Sequence, residues 1–419
     1  GEIVSETASE VRFRVIVAGI TSPPTTYQKK DIIEIVRSGR PAEGGEAVAG
    51  EAGSDGSGEV SASEREVLAS KDAPSVYVIH LEGEFGKEIT PTPVREAMEA
   101  ARKEQPDFLI IYLNNDWDFF GFEMPDDVQV DVDWFDIADK LEPIFTKEIE
   151  LNWEKQPELV FWVRNAMGGA AFMPFVTDSI YMHPEGRIGG IGSLEQMFEG
   201  MGDEVVRQKQ RSLRLARMQG LAIAGGHDYR LVTAMTRRSY VLSYDSYGNL
   251  YERMPENPGE FVLTDDGADQ NRDTMRQLVT GEGDDVLTLK ADTAATLGVS
   301  RGTARDLDEL LEHLGILRNH VMLKSRADDR LENWGRQVER AEREIERLRE
   351  EFNEVQPQGN EPRDQKRAIG RQIRILEEMQ NLYRRYGEAF DRYNEGKGAI
   401  ARLEIEIEQL KIQLQLIDD

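Results

Sequence analysis

The chain of 419 residues contains no cysteine, which removes thiol catalysis, disulfides and cysteine-ligated zinc together. Its five histidines, His80, His183, His227, His313 and His320, show no HExxH pattern and no paired spacing, so none is assigned as a metal ligand. No GxxxxGK loop followed by Ser or Thr occurs, and NTPase chemistry is not suggested. Carboxylates are abundant, with a run at Asp116, Asp118, Asp126, Asp127, Asp131, Asp133 and Asp136. A hard cation such as calcium needs several carboxylate oxygens, but this run lacks the glycine and the terminal glutamate of an EF-hand loop. It reads as a solvated acidic loop, and neither metal nor cofactor is expected. Trp117, Phe119, Phe120, Phe122 and Trp134 interleave the acids, which fits a partner-binding surface or a loop folded over a pocket. What remains is the Gly168–Gly169 turn directly after an apolar segment.

Several elements must position that turn. VYVIHLEG (76–83), FLIIYLN (108–114), LVFWVRN (159–165) and SIYMHP (179–184) are apolar strands, with helices expected at about 93–104 and within 134–152. That alternation predicts an α/β fold whose mainly parallel sheet is buried on both faces, with flanking helices. Helices follow at about 203–224 and 228–238, then a hairpin around Tyr247, Gly248 and Asn249. Residues 286–315 read as strand, helix, short strand, helix. Before the body, residues 1–39 hold a strand over 11–20 and a short helix over 26–38. Residues 40–74 form an acidic, Gly/Ala/Ser-rich linker. Residues 317–419 change register. Trp334, Val338, Ala341, Ile345, Leu348, Phe352 and Val355 form one heptad seam, and a second runs from Met379 through Tyr386, Tyr393 and Ile400 to Ile417. With a break at Pro357–Pro362, two long helices in a coiled-coil hairpin are expected. The second outruns the first, so the hairpin either stabilises the body or serves as an oligomerisation or docking arm.

Charge narrows the partners. Lys plus Arg is 51 against 79 Asp plus Glu, a net of -28, and most of the excess acid lies before Trp334. Such a body repels phosphate backbones, so nucleic acid is not an expected partner. A mean hydropathy of -0.54 and the absence of any long apolar run exclude a membrane-embedded chain. Residues 1–15 do not read as a signal peptide. Arginine outnumbers lysine, which fits either adaptation to high salt or genomic base composition.

The order VYVIHLEGEFG, TPTPVREAMEAARK, FLIIYLNN, VFWVRNAMGGAAFMPFVTDSIYMHPEGRIGGIGSL and VLTLKADTAATLGVSRGTARDLDELLEHLGI resembles the ClpP/crotonase superfamily over residues 75–316. It is most similar to the serine peptidases of the NfeD and signal peptide peptidase A kind. The most specific part is the glycine pair with Asp178 nine residues after Gly169, followed by I-Y-M-x-P-x-x-x-I-G from Ile180 to Gly189. The resemblance implies that the turn leads into a helix whose N-terminal amides, that of Gly169 first, stabilise an oxyanion. It places the nucleophilic serine at Gly168, which has no side chain to acylate. It places the general base at Lys209, a role that needs desolvation to lower the amine pKa. Relatives carry an Asn-x-Pro-Gly-Gly turn where this chain has Asn114, Asn115, Asp116, Trp117 and Asp118. The acyl-CoA branch would need glutamates at Phe172 and Gly192, and neither residue moves a proton.

The expectation is therefore a catalytically degenerate ClpP-class serine-peptidase-like protein acting as an oligomeric structural or adaptor component, whose pocket is filled by Met167, Phe172 or Trp117 beside Asp116. The alternative is an active Ser-Lys endopeptidase cleaving apolar or membrane-protein segments, with Lys209 serving Ser179, Ser193 or Ser212. The resemblance further implies self-association in rings or other homo-oligomers, a membrane-associated or protein partner, and an exported or membrane-peripheral location.

Overall fold

In the computed structural model of the chain, the described residues are 2–6, 10–14, 16–17, 20–21, 25–28, 73–115, 135–190, 192, 203–357, 359, 361–390 and 395–418. The chain divides into two compact units, Gly1–Glu59 and Val60–Asp419. In the first, β1 (Glu2–Glu6), β2 (Glu10–Arg14) and β5 (Thr25–Gln28) form an antiparallel sheet in the order β1-β2-β5, while β3 (Ile16–Val17) pairs with β4 (Ile20–Thr21). The single strand expected over 11–20 is thus divided. Val17 faces Ile20 across an antiparallel pair, so the chain reverses within VAGI instead of running through it. The helix expected over 26–38 is corrected at its start: Thr25, Thr26 and Tyr27, residues suited to a pleated surface, pair with β2. Its remainder and the linker over 40–72 lie outside the described residues.

The second unit is built on a mostly parallel sheet. β6 (Ser75–Gly83), β7 (Phe108–Asn115), β8 (Glu158–Met167) and β9 (Ile180–Gly189) lie side by side in parallel. β13 (Thr288–Lys290) adds antiparallel to β9, β14 (Gly302–Thr303) pairs parallel with β9, and β15 (Val321–Met322) closes the far edge beside β6. The strands read as unbroken apolar runs because both faces are buried. Tyr77, Ile79, Leu109, Ile111, Phe161 and Val163 face one core. Val76, Val78, Ile110, Val160, Trp162 and Tyr181 face the other.

Helices cover both faces. α1 (Pro91–Glu104) opens on a proline in its first turn, where a missing N–H costs nothing, and buries Val94, Ala97, Met98 and Ala101. α2 (Phe135–Phe145) and α3 (Lys147–Asn152) follow β7. α4 (Glu204–Ala224) is capped by Asp203, whose side chain accepts from the Val205 amide at 2.9 Å, and α5 (Tyr229–Thr236) is capped likewise by Asp228. β10 (Leu242–Asp245), β11 (Leu250–Tyr251) and β12 (Glu260–Thr264) make a small antiparallel sheet containing the expected hairpin. α6 (Met275–Thr280), α7 (Ala291–Thr296) and α8 (Leu307–His313) complete the body, and α8 lays Leu310 and Leu311 on the second core. Among the described residues no helix is long and apolar enough to cross a membrane.

The C-terminal region holds three helices where two were expected: α9 (Ala327–Glu354), α10 (Pro362–Phe390) and α11 (Glu395–Asp418). Both halves of the second seam carry apolar residues at spacings of three and four, so the pattern reads as continuous. Gly387, Asn394, Gly396 and Gly398 crowd the junction with poor helix formers. α11 runs back along α10: Gln380 and Arg384 both reach Glu404 at 3.3 and 3.2 Å. Leu403, Ile407 and Leu410 join the cluster formed by Val338, Ile345, Leu348, Ile375 and Met379. The length that would have outrun its partner is thus largely covered within the chain.

α9 is tied to the body. Trp334 Nε1 donates to the Lys87 carbonyl at 2.9 Å, and its ring meets Tyr386 at 5.6 Å. Trp334→Phe is expected to cost about 1 kcal/mol in urea unfolding, since it strands the Lys87 carbonyl. Arg343→Ala, which breaks one exposed pair with Glu339, should cost less than ~0.5 kcal/mol.

Candidate functional site

The parallel strands deliver their C-terminal ends to one edge, where ligands of open α/β sheets characteristically bind. There β8 outlasts its neighbour. The main-chain pairing with β7 ends at Asn114 opposite Asn165, leaving Met167 beyond it. The buried Asn115 side chain replaces the missing strand. Its Oδ1 accepts from the Met167 amide at 2.9 Å, and its Nδ2 donates to the Met167 carbonyl at 3.2 Å. Beside it Asn165 Nδ2 donates to Asn114 Oδ1 at 3.0 Å. The Asn114-Asn115 pair, noted in the sequence only as a departure from a glycine turn, therefore holds the end of β8 in place.

Gly168 follows with φ of +62°, a left-handed conformation that disfavours any residue with a Cβ. Gly168–Phe172 is a 3-10 segment, and Pro174–Val176 is another. The expected α-helix after the turn is not formed. Pro174 has no N–H to bond Ala170, and the Ala170 carbonyl is taken by Met173 at 3.0 Å. Gly168 and Gly169 open the segment, so their amides have no acceptor within it, but five residues carry little helix dipole. Phe172 is fully buried in the core beneath.

Across the edge, Gly190 has φ of +59°, and a Cβ there would stand 2.7 Å from Met167 Cε, 3.0 Å from Leu278 Cδ2 and 3.2 Å from Thr288 Oγ1. Met167, Leu278 and Thr288 thus meet over Gly190. The Thr288 hydroxyl is buried without a hydrogen-bond partner. Among the described residues no side chain is hydrogen-bonded to it to take its proton. Sequence reading passed over Thr288 because its place depends on β13 joining β9 opposite Gly189.

Lys209 is exposed in the N-terminal half of α4, whose buried residues are Met218 and Ala222. It stands about 20 Å along the helix axis from Ala222, and no partner for it is recorded among the described residues. Ser212 is exposed three residues along the same helix. Ser179 is buried, but it precedes β9 at the opposite end of the sheet. Its carbonyl accepts from Phe161, roughly 20 Å along β8 from Met167. Ser193, Asp116, Trp117 and the interleaved acidic and aromatic segment up to Trp134 lie outside the described residues. Among the described residues the structure therefore brings together Met167, Gly168, Gly169, Asn115 and Thr288, and does not bring Lys209 to a hydroxyl of another element.

No known protein family matches this chain. No protein of curated function does either. Among solved structures, two of a membrane-bound stomatin-specific protease, 1510-N, are similar. One is a lysine mutant with a substrate peptide, 15% identical over 58% of this chain and 80% of that chain, with a TM-score of 0.32. The other is a serine mutant, 13% identical over 61% and 95%, with a TM-score of 0.34. A third, described only as an enzyme, is 7% identical over 55% and 95%, with a TM-score of 0.27. Likeness of this size carries no argument about chemistry, and the site stands on its own geometry.

A second concavity of about 490 Å³ lies between the end of β6 and α9, lined by His80, Glu82, Glu88, Asp328, Glu332 and Glu339. His80 Nδ1 donates to Asp328 Oδ2 at 3.0 Å, and this bond raises the His80 pKa above its usual value. His227, whose Nε2 donates to the Thr177 carbonyl at 2.7 Å, is lowered by burial. The His80 contribution to stability is present below pH about 6.5 and is lost as pH rises through the raised value. The His227 contribution is present above pH about 6.5 and is lost as pH falls. Histidine proton titration by NMR should place His80 above and His227 below the free value, and Asp328→Asn should bring His80 down. Asn115→Ala, which unpairs both Met167 groups, should cost on the order of 2–4 kcal/mol in urea unfolding. Asn115→Asp, which sets two acceptors face to face, should be no milder.

Proposed function

We propose that this chain is a relative of the ClpP-class serine peptidases, of the NfeD and signal peptide peptidase A kind, that has given up covalent catalysis and works as an oligomeric structural or adaptor component. Gly168 carries the reading. At the position where the resemblance calls for a nucleophile there is no side chain, and the φ of +62° is one that a serine adopts only under strain of about 1–2 kcal/mol. The exposure of Lys209 and the remoteness of Ser179 support it, and Met167 packed over Gly190 leaves the edge occupied by an apolar side chain. The assembly half of the reading is supported by apolar side chains on the surface of α4, where Val205, Val206 and Leu213 are each more than half exposed. An exported or membrane-peripheral place would follow from the same kinship.

Fluorogenic-peptide and casein cleavage tests the chemistry. Wild type and Lys209→Ala should both be silent. Gly168→Ser should stay silent as well and lose about 1 kcal/mol of stability, because the turn resists a Cβ. Turnover by wild type that Lys209→Ala abolishes would overturn the reading. Native mass tests the assembly: it should be a whole multiple of 47.5 kDa, and Leu213→Glu should shift it toward the single chain.

A further inference from the structure

The segment between β12 and β13, which includes α6, gathers acids that the candidate site does not use. Carboxylate oxygens of Asp265, Asp284 and Asp285 all lie within 4.8 Å of one another. Asp265 and Asp285 are buried, at 6% and 1% exposure, which is unusual for carboxylates. Asp285 Oδ2 accepts from the Asp273 amide at 3.0 Å, while its other oxygen, Oδ1, is buried with no hydrogen-bond partner. Asp273 answers through its own carboxylate, which accepts from the Asp285 amide at 2.7 Å. Asp265 Oδ1 accepts from the Gly267 amide at 2.8 Å, and Asn271 Nδ2 donates to Oδ2. Arg238 makes a loose ion pair with the cluster, its Nε 3.8 Å from Asp285 Oδ2, and Arg272 also acts on Asp285.

We infer that Asp265, Asp284 and Asp285 form a calcium-binding site that fixes the loop leading into β13. The donors are all oxygen, as a hard cation requires. Their oxygens lie close enough together, all within 4.8 Å, to share one ion of the size that oxygen ligands hold at about 2.3–2.6 Å. The unpartnered Asp285 oxygen gives the buried cluster a lone pair directed at no protein donor, and an ion there would satisfy it. The consequence reaches the candidate site. Asp285 precedes Val286 and Leu287, the Leu287 carbonyl accepts from the Gly190 amide at 3.0 Å, and Thr288 pairs with Gly189. An ion at Asp285 would hold the strand that packs over Met167.

The test is calcium titrated by calorimetry into the chelator-treated full chain, with thermal melting in parallel. Wild type should show one saturable site and a rise in Tm that magnesium at equal ionic strength does not match. Asp285→Asn should weaken calcium at least tenfold. Asp284→Asn, on a half-buried residue that tolerates the change, should do the same and decides the matter if Asp285→Asn fails to fold. Absence of saturable binding by wild type at millimolar calcium would overturn the inference. So would unchanged affinity in Asp284→Asn, since the ion would then be bound elsewhere.

Discussion

A strand that runs past its neighbour inside a two-sided sheet exposes main-chain groups to a place without water, and those groups must find partners. At the end of β8 the Asn115 amide provides them, bonding the N–H and C=O of Met167 as a further residue of β7 would. Much else at this edge depends on that substitution. It fixes where Gly168 begins its left-handed turn, where Gly169 presents its amide, and where the Met167 side chain reaches Gly190. A hydrophobic residue at 115 would bury two unpaired groups, and a carboxylate would set like against like.

Turning so sharply at Gly168 has a chemical consequence. The conformation that carries the chain from β8 into the 3-10 segment suits a residue without a Cβ, and such a residue has nothing with which to attack a carbonyl. Fold and inactivity therefore share one cause in the proposed reading. On the other side of the edge, β13 is brought to β9 by a loop containing buried acids, so the same edge is braced by Asn115 on one flank and by the Asp285 loop on the other.

The strands of the body were legible because burial on both faces writes itself as unbroken apolar runs, as in FLIIYLNN and VFWVRNAM. The paired glycines were legible because turn and strand adjoin in the sequence. What escaped were relations across long separations. Asn115 and Met167 are 52 residues apart, and nothing local marks an amide side chain as a surrogate strand. Asp265 and Asp285 are 20 residues apart with no ligand spacing, whereas the more conspicuous acidic run from Asp116 was the one weighed for a cation and read as a solvated loop. The C-terminal seam misled for a related reason: apolar spacing reports that a helix face is buried, not which helix buries it, so α10 and α11 read as one.

In the proposed reading no residue of this chain is activated for acyl transfer. Intact mass after incubation with a fluorophosphonate, read against the heat-denatured chain, tests it most directly. The account predicts an unmodified mass in both. A single adduct on the folded chain alone, mapped to a serine or threonine and lost in Lys209→Ala, would contradict it.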